Sequence, residues 1–118
     1  MPVIGINPDI KAAIDKKQAF ADLDQWFAAE LAKGFETAGG WKLGLSQSDV
    51  TLLTGNYVLA KEAAALGMPI PPIVDTAGVP HPMTEIAELT AIMLAYGQYR
   101  AGLSQEYATR KAAIEAGE

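Results

Sequence analysis

The residue whose type could most readily do chemistry is His81, the only histidine in the chain. An imidazole can act as a general base or bind a metal ion near neutral pH. Either use needs partners, and the nearby acids are Asp75 and Glu85, while the sequence has no cysteine. A metal site would have to recruit carboxylates from a distance. We therefore interpret His81 as a structural residue of a turn, and we expect no catalytic residue, no metal site and no cofactor.

This histidine belongs to a proline-rich segment, Met68 to Thr84, that separates two alanine-rich helical patterns. The segment holds five of the seven prolines of the chain. Ile73 and Val74 favour a strand, and the turn residues from Asp75 to Gly78 lead into a return arm that contains two prolines. Because proline cannot donate a hydrogen bond within a sheet, that arm is confined to an edge. The segment predicts a short β-hairpin over about residues 72–82.

Composition limits the fold and the classes of partner. A chain of 118 residues that is 50% hydrophobic can form one core, and we expect an extended N-terminal arm at 1–8 and a single domain at 9–118. A net charge of −5 argues against nucleic acid as the main partner. The N-terminus lacks the pattern of a signal peptide, and no apolar run is long enough to span a membrane. We expect a protein that is not membrane-embedded.

The first half of the chain predicts a helix and a hairpin. Pro8 and Asp9 are typical of a helix start, and the apolar residues that follow recur at helical spacing up to Gly34, a plausible stop. This pattern predicts a helix over about 9–33. Alternating apolar residues on both sides of the glycine pair Gly39 and Gly40 then predict a hairpin over about 35–45.

A second helix is predicted over about 47–66. Ser46 and Asp49 have the spacing of a capping box, in which each side chain accepts a backbone N–H near the helix start. Gly67 suits the C-terminal end. Gly55 lies inside this helix at a cost of about 1 kcal/mol relative to alanine. We expect a close contact with another helix at Gly55.

The last predicted helix, about 84–116 with Thr84 as N-cap, carries apolar residues at spacings of three and four, the coiled-coil period. If it is continuous, it is about 48 Å long and extends beyond one globule. Gly97, Gly102 and Ser104 could instead break it. The stripe could pack on the first helix as an antiparallel pair, or form an oligomer interface, or do both. The predicted interface residues are Met93, Tyr96, Arg100, Leu103, Tyr107, Arg110 and Ile114. The predicted fold is α+β and mostly helical.

The order of several turn and cap residues resembles a known family. The resemblance lies in Phe35-x-Thr37, Leu43-Gly-Leu45-Ser46-x-x-Asp49-x-x-x-Leu53-x-Gly55, Ile73-x-Asp75-x-x-Gly78-x-x-His81-x-Met83-Thr84 and Tyr99-Arg100. These residues resemble a small domain of tailed bacteriophages and prophages that is catalogued as domain of unknown function four-three-seven-six. The likeness covers roughly Lys33 to Ile114. The family-like turn motif consists of Asp75, Gly78, His81 and Thr84. Val74 and Pro72 stand where the family usually has a tryptophan.

The resemblance implies a role in a virion or in its assembly. Members occur on or beside tail and tail-fibre proteins, which implies a non-enzymatic structural protein that binds phage tail proteins. The heptad pattern of the last helix suits such a role through self-association, so we expect a homo-oligomer, a dimer or trimer. It would act in the virion or the host cytoplasm. One alternative is a transient tail-fibre assembly chaperone or a small regulatory module that is not retained in the particle. A second alternative is an enzyme that uses His81 with Asp75 or Glu85.

Overall fold

The computed structural model describes residues 8–117, so the predicted N-terminal arm lies, apart from Pro8, outside the described residues. Three helices and two antiparallel hairpins follow one another along this part of the chain, which confirms the predicted α+β, mostly helical fold. The elements are α1 (Pro8–Lys33), β1 (Phe35–Glu36), β2 (Lys42–Leu43), α2 (Gln47–Ala65), β3 (Ile73–Val74), β4 (Pro80–His81) and α3 (Ile86–Glu115).

The first hairpin forms as the glycine pair predicts. Phe35 pairs with Leu43 across β1 and β2, and the backbone N–H of Thr37 donates to the carbonyl of Trp41 over 2.8 Å. Gly40 closes the turn with φ of 87°, a conformation that a residue with a side chain rarely adopts. After this turn, β2 leads through a short link into the start of α2.

The capping box at the start of α2 is confirmed. The Ser46 hydroxyl accepts the backbone N–H of Asp49 over 3.1 Å, and the Asp49 carboxylate accepts the backbone N–H of Ser46 over 3.2 Å. This carboxylate lies over Gly44, where a Cβ atom would come within 2.2 Å of it. Gly44 therefore has no room for a side chain while the capping box is formed. Within the described part of the chain the expected helix contact at Gly55 is wrong, because a Cβ there would meet no atom within 4 Å.

The last helix is continuous, so the glycines and Ser104 do not break it. Its start differs from the prediction: the N-cap is Glu85, and Thr84 lies one residue outside the helix. The Thr84 hydroxyl donates to the Glu88 carboxylate instead of accepting a backbone N–H. As the length of α3 requires, the molecule is elongated, with a radius of gyration of 21.0 Å against about 13 Å for a compact domain of this size.

Two parts share α3. The head comprises α2, the two hairpins and the first half of α3, and it contains the main core. The stalk is an antiparallel pair of α1 and the second half of α3. In the stalk, α1 contributes a single buried residue, Leu23. The core of the head consists of Leu43, Leu45, Leu53, Ala60, Ile73, Leu89 and Tyr96.

Two side chains of α3 fix the link between β2 and α2. The hydroxyl of Tyr96, which is 2% exposed, donates to the carbonyl of Gly44 over 2.6 Å. One helical turn later, Nε of Arg100 donates to the carbonyl of Leu45 over 2.9 Å. Both carbonyls lie between β2 and α2, where the chain forms no regular backbone hydrogen bonds. The side chains of α3 therefore supply the donors that these two carbonyls need. The contact places Leu43 and Leu45 in the core, each 1% exposed.

We predict that Tyr96→Phe destabilises the fold by about 2 kcal/mol, because the Gly44 carbonyl loses a donor that comes from a side chain only 2% exposed. The measurement is the free energy of unfolding in urea. The matched control is Tyr57→Phe, which removes a 2.7 Å hydrogen bond to Thr90 in a groove open to solvent. Water can replace that bond, so we expect a loss of about 0.5 kcal/mol. Equal losses in the two variants would contradict the role assigned to Tyr96.

Candidate functional site

The family-like motif forms a turn centred on Asp75. One carboxylate oxygen of Asp75 accepts the backbone N–H of Ala77 over 2.8 Å and that of Val79 over 3.0 Å. Gly78 has φ of 80°, which lets the chain reverse toward β4. A short polar side chain that accepts backbone N–H groups two and four residues later stabilises such a reversal locally. The motif is therefore a turn device at the end of β3.

His81 completes this device. Its Nε2 atom donates to the second carboxylate oxygen of Asp75 over 2.7 Å. The hydrogen bond from His81, followed by the one from the Val79 N–H, lowers the pKa of Asp75 below its usual value. The imidazole also stacks on the indole of Trp41, with ring centroids 4.0 Å apart and planes inclined by 10°. His81 thus has one nitrogen bonded to Asp75 and one face covered by Trp41.

The cluster joins the two hairpins. Trp41 belongs to the turn of the first hairpin and His81 to the second, and the backbone N–H of Thr76 donates to the Lys42 carbonyl over 2.9 Å. Both carboxylate oxygens of Asp75 are occupied by contacts within this assembly. Within residues 8–117, no group of three or more histidine, aspartate or glutamate side chains is placed to hold a metal ion. These contacts give the motif a structural role, which is to hold the second hairpin against the first.

A second candidate site is an open groove between α2 and α3 in the head. Its cavity volume is about 440 Å³. Tyr57 and Thr90 share a hydrogen bond within it, and Leu94 lies at its edge with 62% of its surface exposed. Arg100 is the charged side chain among the lining residues. The lining residues are Gln47, Val50, Thr54, Tyr57, Thr90, Met93, Leu94, Tyr96, Gly97, Arg100, Ala101 and Ser104.

The residues predicted for an oligomer interface all have neighbours within the chain. In the head, Met93 and Leu103 pack against the core that contains Tyr96, and Arg100 binds the Leu45 carbonyl. In the stalk, three residues face α1: the Tyr107 hydroxyl donates to Asp24 over 2.7 Å, the Arg110 guanidinium lies 4.0 Å from the Trp26 ring centroid, and Ile114 shares a cleft with Ala19. The intramolecular alternative therefore accounts for the contacts of this stripe within the chain, and an oligomer interface through the same residues stays a prediction.

Sequence reasoning missed three features. The stack between Trp41 and His81 joins residues forty positions apart, which no local pattern indicates. Gly97 lines the groove, although the sequence suggested it only as a helix breaker. A set of leucines on α2 is exposed, and its spacing of seven residues was available as a signal. These leucines are Leu52, Leu59 and Leu66.

We predict that the stability contributed by the Asp75 carboxylate is lost at low pH. A carboxyl with a lowered pKa in the folded state stabilises the fold above its unfolded pKa of about 3.9, and this contribution fades as the pH falls through the folded pKa. Asp75→Asn keeps an oxygen for the backbone N–H groups but removes the charge. Urea midpoints should therefore separate wild type from Asp75→Asn at about pH 6 and converge below about pH 4.

The control is Asp22→Asn on α1, an exposed side chain bonded to Gln18. Exposed pairs of this kind contribute little to stability, so Asp22→Asn should follow the wild-type curve at every pH. A separation between wild type and Asp75→Asn that persists unchanged to about pH 3 would show that the turn, and not the charge, carries the effect.

Among the described residues, no helix combines the length and apolar character needed to cross a bilayer.

Comparison with known proteins yields one significant match, to a family model. No curated protein and no solved structure matches the chain significantly. A family model described as "Domain of unknown function (DUF4376)" matches residues 14–118, a longer stretch than the turn and cap residues alone indicated. The chain therefore belongs to the DUF4376 family.

Proposed function

We propose that this chain is a non-enzymatic structural or assembly protein of a bacteriophage tail, associated with a tail fibre or baseplate, and that it acts through protein contacts of its helices. The observation that carries the proposal is the open apolar groove between α2 and α3. An unfilled groove between two helices is a common docking site for a helix of another protein. His81 and Asp75 bind each other and the turn, so the proposal assigns them no catalytic role.

The chemistry of the groove defines the partner. Most of its lining is apolar or carries a hydroxyl group, which suits the apolar face of an amphipathic helix. At one end, Arg100 is bound through Nε to Leu45 and through a terminal nitrogen to Ser104. A guanidinium has further donors, and a carboxylate is its preferred ligand. The partner is therefore an amphipathic helix of a tail protein with an acidic residue at the end near Arg100.

The phage setting is supported by the resemblance of the turn and cap residues to a tail-associated domain, and the location proposed with it is the virion or the host cytoplasm. A second candidate function uses the same groove transiently, in a tail-fibre assembly chaperone or a small regulatory module that leaves before the particle is complete. The groove favours this alternative equally, because an open site can release its ligand. Mass spectrometry of purified particles separates the two: the chain is present in one case and absent in the other.

We predict that Gly97→Leu abolishes binding to a tail protein while the fold is retained or stabilised. A Cβ at Gly97 meets no atom within 4 Å, so the leucine enters the groove without a clash. Replacement of a helical glycine also favours the helix by up to about 1 kcal/mol. The measurement is copurification of the tagged chain with the tail-fibre and baseplate proteins encoded beside it, together with urea unfolding.

The matched control is Gly102→Leu. Gly102 is also a glycine of α3 with open space around its Cβ position, but it does not line the groove. This variant should copurify with the same tail protein as the wild type. The proposal fails if no encoded tail protein copurifies with the wild type, and the groove assignment fails if Gly97→Leu binds as well as Gly102→Leu.

A further inference from the structure

The outer face of α2 and its C-cap residue carry three exposed leucines in a heptad pattern, which we name the leucine stripe. It consists of Leu52, Leu59 and Leu66, with 61%, 64% and 73% of their surfaces exposed. Gly55 and Glu62 occupy the intermediate positions, so the spacing along the stripe alternates between three and four residues. This is the period of a helix that pairs with another helix along one seam. The stripe spans about 21 Å, or four turns.

A second face of α2, about 100° around the helix from the leucine stripe, is already used. Leu53 and Ala60 are buried in the core of the head, so α2 is apolar on two faces instead of one. A helix that is apolar on more than one face is typical of an interior position. The groove contacts a third side of α2, through Val50, Thr54 and Tyr57, none of which belongs to the leucine stripe. The stripe therefore needs an occupant of its own.

The total surface indicates how large that occupant is. The chain exposes 8064 Å², against about 6,200 Å² for a compact monomer of 12.5 kDa. The excess of about 1,900 Å² is more than twice the roughly 800 Å² that each partner buries in an interface of standard size. Part of the excess follows from the elongated shape of the stalk. The excess is therefore larger than the surface that one partner buries in an interface of standard size.

We infer that the leucine stripe pairs with the same stripe of a second copy, in an antiparallel arrangement about a twofold axis at Leu59. In this register Leu52 faces Leu66 of the partner subunit, and each Glu62 faces an amide, that of the partner's Asn56, to which it can hydrogen-bond. In the parallel register the two Glu62 carboxylates would face each other and repel. Antiparallel helices also place opposite ends of their dipoles together.

The same register explains Gly55. The glycine faces Ala63 of the partner subunit, so two small residues meet on each side of the axis. Small residues let helix backbones approach closely. A Cβ at Gly55 meets nothing within its own chain, which leaves no intramolecular reason for a residue that disfavours the helix by about 1 kcal/mol. A twofold interface uses each of these contacts twice.

This interface goes beyond the proposed tail function, because it lies on a different face of α2 from the groove and has a different partner. It also differs from the stripe on α3 that the heptad pattern first indicated. A dimer would present two grooves for two tail-protein helices, which raises the avidity of attachment. Loss of the dimer and loss of the tail protein are separate results, since one is read from mass and the other from copurification.

The test is the mass of the full chain in solution, measured by light scattering after gel filtration. We expect about twice 12.5 kDa for the wild type. Leu59→Glu places two like charges on the axis and should weaken association at least about thirtyfold, which yields the single-chain mass. Because Leu59 is 64% exposed, this variant should keep the helical circular dichroism and the urea midpoint of a folded chain.

The matched control is Leu94→Glu, an equally exposed leucine at the groove edge that lies off the stripe. This variant should remain a dimer. A wild type with single-chain mass overturns the dimer, and a dimer that withstands Leu59→Glu but not Leu94→Glu overturns the choice of surface.

The orientation is tested by cross-linking, since the chain contains no cysteine. A mixture of Leu52→Cys and Leu66→Cys chains should form the mixed disulfide under mild oxidation, because these positions face each other in the antiparallel register. Disulfides of Leu52→Cys with itself would indicate the parallel register and overturn the antiparallel one. The groove variant Gly97→Leu and its control Gly102→Leu serve as an internal check, since both should retain the dimer mass.

Discussion

The fold depends on the way α3 holds the short link between β2 and α2. Tyr96 and Arg100, one turn apart, donate to the carbonyls of Gly44 and Leu45, which have no partner in a regular element. This pair of hydrogen bonds fixes where α2 begins relative to α3. The capping box then sets the direction of α2, because the Asp49 carboxylate occupies the space where Gly44 would have a side chain. Most of the head follows from these few contacts.

The hydrogen bonds from Tyr96 and Arg100 to this link also separate two parts of α3 that have different contacts. Up to Leu103 the helix packs against the core of the head, and from Arg100 onward it also contacts α1 through aromatic and polar contacts. Tyr107 illustrates the difference, since its ring lies 4.9 Å from that of Phe27 while its hydroxyl binds Asp24. Such contacts tolerate water better than a core of leucines does. Partly exposed aromatic and polar contacts therefore hold α1 and α3 together in the stalk, which extends the molecule without a second large core.

Sequence patterns predicted the elements better than their neighbours. The capping box, the glycine turn and the continuity of α3 rest on local rules, and the structure confirms them. The prediction of Thr84 as N-cap is wrong because its hydroxyl binds the Glu88 carboxylate, a side-chain contact that a capping rule does not include. A heptad pattern predicts that one face of α3 is covered but does not say by what. Tyr96 and Tyr107 were therefore compatible with an oligomer, whereas the structure packs Tyr96 in the core of the head and Tyr107 against α1. The clamp of His81 on Trp41 depends on tertiary contact, and no spacing rule predicts it.

The distribution of unexplained features favours the head as the end that binds other molecules. In the stalk, the large side chains Trp26, Phe27 and Tyr107 have partners that explain their types. In the head, two helical glycines, Gly55 and Gly97, have open space where their side chains would be, and Gly102 has the same at the junction with the stalk. A helix loses stability at each glycine, so an intramolecular account of the head leaves that loss without a compensating contact. Partners bound against α2 and α3 would supply that contact. The stalk would then act as a spacer between the head and the far end of the α1–α3 pair.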